Sequence, residues 1–517
     1  MTIIRRAVSA MQVLFGSGNP YAPVVAATAE GSEVENPRGQ YELLRALYYN
    51  DRAEEEPEGD QTTIGLRSPT KAVVDFYAAT MWPGMLPEAL PVEPGGDVTD
   101  GDALTAAIHR LWQWSNWSAR KQVYARRDAM LGDSLIKVGT RPNASGTVER
   151  VYLQLIKPDN LTEFDVDERD YLTYLRLDVP SERRVSDEIE KYTHTEVWDK
   201  RSGTYRVWEH DHGLGVKVAD LGQPTREATM ESFGIDFIPF VHAKHIDMGN
   251  RRGDAAIIPA LVKAHEASRM ATRLHDLMFQ YNKADLVLFS NLLDADGNTV
   301  RPPLIGEDQG DTIEIGGQTL WRLPSGWDMK PSIASLPFEA HRKVLVDHLE
   351  HLEASDLPEL AYYKVADSRE LSGKAIRYML IPAIAKAEEA RGNAEGALVR
   401  AQQMALTIGR HHELPGFERL GRYEDGQLDH AFRERSIIPL TEEEQAEVDR
   451  VRAETAVKRQ QYGWTMEALL GADGVDEADI RAMLAQVDAA RAAGGVLDAT
   501  ESAEAQRLLD AALARGD

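Results

Sequence analysis

Residues 254–352 leave the chain few ways to fold. Asp254 to about Tyr281 places Ile257, Leu261, Ala264, Ala271, Met278 and Tyr281 on one stripe, which predicts an amphipathic helix spanning roughly 40 Å. Short apolar runs follow at Leu286–Phe289, Val300–Ile305, Thr312–Ile315 and Leu320–Leu323, punctuated by Gly297, Pro302, Pro303, Gly306, Gly316 and Gly317. Runs of that length between Gly and Pro read as strands of a compact β unit. From about Phe338 to Leu352, the spacing of Phe338, Leu345, Leu349 and Leu352 is close to a heptad stripe and predicts a second helix. The chain goes out along one helix, folds a small β module and returns along another.

Helical spacing also marks 36–50, through Leu43, Leu44, Leu47 and Tyr48, and a helix opened by Ser68-Pro69 that Pro83, Gly84 and Pro87 stop. A third helix is expected from Asp102 to about Leu131, ended by Gly132-Asp133. Between them, acidic Asp51–Asp60 reads as a loop. From Ser134 to about His245 the period becomes extended, with Val-, Tyr-, Leu- and Thr-rich runs at 135–138, 151–156, 172–177, 191–199 and 204–209, the pattern of an antiparallel meander. Ala354–Leu371 reads as a loop between helices, long enough to be functional or mobile. A helix of roughly 55 Å is expected from Ser372 to about Ile408, with a kink at Pro382, whose ring removes one backbone hydrogen bond. Beyond a strand-like Leu428–Ile438, Thr441-x-x-Glu444 is a capping box opening an Ala-, Glu- and Arg-rich helical unit to Asp517. The fold class expected is α+β, mainly helical.

At 517 residues the chain has room for three or four structural units and a large core. It contains no cysteine, which excludes disulfides, iron–sulfur clusters, thiolate zinc sites and cysteine nucleophiles, and fits a reducing site of synthesis. With 84 acidic and 58 basic side chains the formal charge is −26, which disfavours a surface that grips nucleic acid but not a passage through which DNA slides. No run approaches a membrane span, so no membrane partner is expected. Arg5 and Arg6 before Ala7–Phe15 imitate a secretory signal, but Ser9 and Gln12 interrupt the apolar stretch, and a surface helix with an extended arm is the better reading. No repeat of fixed period recurs, and 24 prolines interrupt would-be helices, which disfavours a solenoid or coiled-coil scaffold.

Chemical motifs are weak. Ser372-Gly373-Lys374-Ala375 matches the end of a phosphate-binding loop, yet position 368 is Ser and 375 is Ala, so a helix N-terminus is the reading. Gly213-Leu-Gly215 lacks a third glycine, since 218 is Val, and suits a turn among strands. His242 and His245 lack a His-Glu-x-x-His pattern and follow Pro239, so they read as strand-end histidines and not metal ligands. His411-His412 suits a helix C-terminus. Asp294-Ala-Asp296-Gly297-Asn298 lacks the twelfth-position glutamate of a calcium loop and reads as a turn. Trp112, Trp114 and Trp117 beside Arg120, Lys121, Arg126 and Arg127 mix aromatic and basic residues as single-strand binders do, but at helical spacing a core stripe is preferred. No nucleophile–base–orienter set can be assembled. No catalytic residue, metal or cofactor is assigned, and an enzyme is not expected.

Three stretches nevertheless carry a family likeness: Trp114-Ser-Asn-Trp117 through Gly132-Asp133-Ser-Leu-Ile-Lys137; Asp356-Leu-Pro-Glu-Leu-Ala-Tyr-Tyr-Lys364; and Leu371-Ser-Gly-Lys374-Ala-Ile-Arg377-Tyr with Ala385–Gly409. In these stretches, and in the order and lengths of its parts over nearly the whole chain, the sequence resembles the portal proteins of tailed double-stranded-DNA bacteriophages, of the long-tailed siphophage type. The resemblance implies a wing over 1–253, stem helices over 254–283 and 336–353, a clip over 284–335, a tunnel loop over 354–371, a long kinked helix returning to the wing over 372–440, and a crown over 441–517. It implies a homo-oligomeric ring, typically a dodecamer, at one capsid vertex of the virion, made in the host bacterial cytoplasm. Double-stranded DNA would pass through its channel in packaging and ejection. Partners implied are the terminase large subunit, a head–tail adaptor, and the major capsid and scaffolding proteins. Tyr362, Tyr363, Lys364 and Arg369 are the implied DNA-facing residues, and Arg301, Leu304, Glu307, Trp321 and Arg322 of the clip the implied docking residues. The alternatives are another phage head or connector protein, or a metal-dependent hydrolase using Asp and His of the meander.

Overall fold

The computed structural model describes residues 37–49, 68–143, 146–185, 188–282, 286–290, 293, 295–297, 312–315, 318–321, 327–331, 338–364 and 373–437, with a few positions between 446 and 455. The chain divides into two compact units, Met1–Phe432 and Arg433–Asp517. The expected crown, the acidic loop 51–60, the strand 300–305, Arg301, Leu304, Glu307, Arg322 and Arg369 lie outside the described residues.

The first unit opens with α1 (Pro37–Tyr49), which buries Tyr41, Leu44 and Tyr48 at spacings of three and four, as a helix with one apolar stripe must. Helix α2 (Thr70–Thr80) follows Pro69 and buries Val73, Val74, Phe76 and Tyr77. A short strand β1 (Val92–Pro94) leads to α3 (Gly101–Trp114), whose N-terminus is capped by the Asp100 carboxylate accepting from the Ala103 amide at 3.0 Å. The helix expected over 102–131 is two helices, because Asn116 takes the left-handed conformation (φ +51°) and α4 restarts at Trp117–Leu131. Asn tolerates that conformation better than most residues, and this breaks the run without a Gly or Pro to announce it.

Gly132, at φ +82°, ends α4, and β2 (Asp133–Pro142) starts at once. Strand β2 pairs antiparallel with β3 (Val148–Ile156) on one side and β9 (Phe240–Lys244) on the other. The turn at Pro158–Asn160 then sends the chain into a separate five-stranded antiparallel sheet in sequential order: β4 (Leu161–Val166), β5 (Leu172–Val185), β6 (Glu188–Asp199), β7 (Thr204–His210) and β8 (Arg226–Thr229). The expected single meander is therefore two sheets, since β9 returns across more than a hundred residues to pair Asp133 with Lys244.

Past a turn at Ile258–Ala260, α5 runs Leu261–Asn282. It starts later than the expected Asp254, whose amide is taken by Ile246 O. At 22 residues it is about 33 Å long. Strands β10 (Leu286–Ser290), β11 (Thr312–Ile315), β12 (Gln318–Trp321) and β13 (Trp327–Pro331) follow. They form two antiparallel pairs, β10 with β13 and β11 with β12, the latter setting Trp321 opposite Thr312. Helix α6 (Phe338–Ser355) returns, the short α7 is Ala361–Lys364, and α8 is a single helix Gly373–His411 with Pro382 inside it. Strand β14 (His430–Phe432) closes the unit by pairing with β1.

The core lies where α3, α4 and α8 pack on the β3-β2-β9 sheet. Helix α8 buries Ala383, Ala387, Ala390, Ala394, Ala397, Ala401 and Ala405 along one stripe, so its backbone can approach the sheet closely. The tryptophan cluster is core, as its spacing suggests. Trp112 and Trp117 are buried and Trp114 stacks on Phe417.

Candidate functional site at the root of the helix pair

The out-and-back feature of the first unit is the pair α5 and α6. Ala267 and Ala271 of α5 meet Leu345 of α6, with Met270, Leu274 and Leu349 at the margin, so small residues on one helix receive the leucines of the other. The pair is antiparallel. At its root Lys263 binds Asp356, and the His348 Nε2 proton reaches Lys263 O at 3.1 Å. At its far end β10 and β13 join the two helices' continuations. Along α6 only Leu345 and Leu352 are buried, while Val344 is 55% exposed. Against the described residues α6 buries only a narrow seam, and helices of such length depend on tertiary packing.

The root is polar. After α6, Asp356 and Leu357 both donate their amides to Leu352 O, and a turn at Pro358–Leu360 leads into α7. Leu357 is buried, and so is Glu359, an acid of which no atom reaches solvent. Its Oε1 accepts from Tyr77 Oη of α2 at 2.7 Å and from Lys386 Nζ of α8 at 3.2 Å. Its Oε2 has no partner among the described residues. Lys386 also donates to Asp356 O at 2.7 Å, so one ammonium ties the end of α6 to Glu359. Burial, followed by the neighbouring Glu359 charge, pushes the Tyr77 phenol well above its ordinary value. For Asp356 burial acts upward, but the hydrogen bonds from Lys263 and Ser355 outweigh it and hold the carboxyl below its usual range.

Three of the residues singled out in the sequence stand here. The expected loop 354–371 is, in its described part, the end of α6, a helical turn and α7. Tyr362 packs edge-on against Phe76 with ring centroids 5.4 Å apart, Tyr363 Oη donates to Ala72 O at 2.9 Å, and Lys364 pairs with Glu353. Their side chains lie along α2 and α6, both rings more than a third exposed.

Behind Tyr77 lies a second layer. The Tyr77 ring meets His245 edge-on at 4.6 Å, and His245 Nδ1 is 3.0 Å from Asp128 Oδ2, both residues being fully buried. Ser134 Oγ donates to the other Asp128 oxygen at 2.8 Å, and Asn393 of α8 donates to His245 O at 3.2 Å. Next to it Asp133 is a hub. Its Oδ1 accepts from His242 Nε2 at 2.7 Å and the Gly253 amide at 2.9 Å, and its Oδ2 from Tyr41 Oη, with the Arg252 guanidinium 3.6 Å away. Burial alone would raise the Asp133 pKa, but His242, Arg252 and Tyr41 together hold it below the ordinary value. Asp254 responds the other way, raised by burial and by the Asp133 charge.

His242 stands in the middle of β9 and His245 one residue past its end, so only His245 is at the strand end, and sequence reading missed the carboxylate partners of both. The Gly132 turn that separates Asp128 from Asp133 delivers one acid to each histidine, and register does the rest, since Asp133 pairs with Lys244 and Leu135 with His242. The His245–Asp128 couple has no exposed atom through which to meet a substrate, and it fixes α4, β9 and α2 to one another. Among the described residues no group of three His, Asp or Glu side chains could hold a metal ion. The other motifs are local: Gly215 (φ +77°) and Gly297 (φ +80°) sit in turns, and α8 ends at His411. No helix of the described residues is long and apolar enough to cross a membrane.

No family model matches this chain, and no curated protein matches it. Among solved structures it is similar to a chain of the neck of a native GTA particle computed with C12 symmetry, at a TM-score of 0.36 and 12% identity, over 74% of this chain and 85% of that one. A similarity at that level does not establish a shared fold.

Proposed function

We propose that the chain is a phage portal protein: a ring, of twelve subunits as is typical of that family, standing at one capsid vertex with DNA passing through its centre. The observation that carries this reading is the antiparallel pair α5/α6. Between its two helices the chain forms a small β unit, and α6 buries only a narrow seam of its own surface. Neighbouring copies would supply the missing cover through heterologous contacts, as in any cyclic ring. In this reading the β unit is the clip on which terminase and then head–tail adaptors dock, the pair is the stem, and the body is the wing. Twelve copies would carry roughly −310 formal charges, a field that keeps phosphate from adhering as the duplex slides. Tyr362, Tyr363 and Lys364 would meet DNA as surface groups beside α2. The role is structural, with no catalytic step.

Negative-stain electron microscopy with native mass spectrometry tests it. Closed rings with a central hole and a mass near twelve 57.5 kDa subunits are expected. A chain that stays monomeric at every concentration and salt tried, or a tightly bound divalent metal found by equilibrium dialysis, would overturn it, the second in favour of a hydrolase.

A further inference from the structure

The segment Pro358–Lys364 is held to α2 by a charged pin in an apolar seat, and we infer that it is a latch: it releases from α2 as a unit while α2 and α8 stay folded. Little apolar surface holds it down. Leu357 and Ala361 are buried, but Tyr362 and Tyr363 are 36% and 43% exposed. Beside the edge contact of Tyr362 with Phe76 and the Tyr363 Oη hydrogen bond to Ala72 O, both near the surface, the segment's buried polar attachment is Glu359. Its carboxylate is out of contact with water, one oxygen shared between Tyr77 and Lys386 and the other without a partner among the described residues. A buried charge satisfied on one side only favours the state in which water can reach it, so the docked state is less stable than an apolar plug of the same shape would make it.

The pin is also wired to the helix pair. Lys386 holds both Glu359 and Asp356 O, and the Asp356 carboxylate is held by Lys263 of α5. A change in the angle of α5/α6 moves Asp356, moves Lys386 with it, and alters the neutralisation of Glu359. The segment on α2 therefore reports the position of the pair. Helix α8 also packs on β9, β3 and β2, so it keeps that contact with the body when the latch opens.

Hydrogen–deuterium exchange by mass spectrometry on the full chain, in whatever assembly it forms, tests this without reference to the portal reading. Amides of 357–364 are expected to exchange at least about tenfold faster than those of 73–80 in α2 and 383–400 in α8. Lys386→Met, which strands Glu359, should open the segment about tenfold further, a modest factor because Lys386 is itself a third exposed. Tyr77→Phe, a change of one oxygen, should open it several-fold. The signature is the double variant Glu359→Leu/Tyr77→Phe, in which the only charge left at the contact is Lys386, a third exposed and still bonded to Asp356 O. It should exchange more slowly than the wild type, reversing the sign of the single Tyr77→Phe change. Exchange of 357–364 in step with α2 in the wild type, or a double variant more open than Tyr77→Phe alone, would overturn the latch and would leave the ring proposal as it stood.

Discussion

Replacing Asp133 by Asn changes one atom at the hub of the body and isolates its charge. Two donors, His242 Nε2 and the Gly253 amide, address Oδ1, which the amide oxygen of Asn can still serve. The other two partners, Tyr41 Oη and Arg252, address Oδ2, where Asn must present N–H groups to a hydroxyl donor and a cation. Tyr41 Oη is not free to turn away, since it already accepts from Arg252 Nη1 at 2.8 Å. The loss is one charge-assisted hydrogen bond and the neutralisation of a largely buried guanidinium, together about 3–4 kcal/mol. Urea unfolding followed by tryptophan fluorescence is a suitable assay, because Trp82 and Trp117 are buried in the same unit. At pH 7 the midpoint should fall by about 0.5–1 M, the urea slope of so large a unit being above that of a small protein. The sign of the pH dependence follows from the lowered folded-state pKa: Asp133 stabilises the fold above the unfolded value of about 3.9 and loses that contribution as pH falls through the folded value. The gap between wild type and Asp133→Asn should therefore be full at pH 7 and narrow steadily below pH 4. A midpoint shift under about 0.2 M at pH 7, or a gap that does not narrow in acid, would refute the reasoning.

Gly132→Ala should cost at least about 2 kcal/mol in the same assay, since φ is +82° there and a Cβ would land on the backbone of Gly253 and Ala255. Lys121→Met should cost about 2 kcal/mol by thermal or urea unfolding, because Lys121 Nζ donates from a buried position to Trp82 O at 2.6 Å and Gly84 O at 2.8 Å, and both carbonyls would be left short of a partner. Val344→Asp should leave the stability of the isolated chain within about 0.5 kcal/mol, the side chain being 55% exposed, while the ring fraction in native mass spectra collapses. Rings that form normally with Asp at 344 would remove that face of α6 from the subunit interface.

The elements legible in the sequence are those fixed by local chemistry. The apolar stripe of α1, the Ser-Pro start before α2, the glycine stop at 132 and the out-and-back helices all depend on residues within a turn or two of one another. The break at Asn116 was not legible, because it rests on a residue that merely tolerates the left-handed conformation. The division of the meander was not legible either, because β9 pairs with β2 across a hundred residues that form another sheet. The same limit hid the polar root. Asp128 and Asp133 look in sequence like a helix end and a strand start, and Glu359, in a Pro-Glu-Leu turn, looks like any surface acid. Only the long-range packing of α2, α6 and α8 takes the Glu359 carboxylate out of water.

Two long helices of the first unit, α8 and α6, obey opposite packing regimes, and this bears on the order in which the structure forms. Helix α8 lays an unbroken alanine stripe on the body, so its stability comes from the chain itself. Helix α6 buries two leucines and relies on charges at its root, the Lys263–Asp356 pair and Lys386 on Asp356 O. The Lys263–Asp356 pair is partly exposed, and ion pairs that reach solvent weaken with salt, so the root of the pair is softer than the alanine stripe of α8. A body of this kind can fold alone, with the pair held at an adjustable angle until something outside the chain covers Val344 and its neighbours. In a ring that cover comes from the next copy, and the angle of each pair is then set by its neighbour as much as by its own root. Rigid bodies joined through soft, polar roots can close a ring by adjusting many small angles, whereas apolar roots would fix each angle before its neighbour arrived.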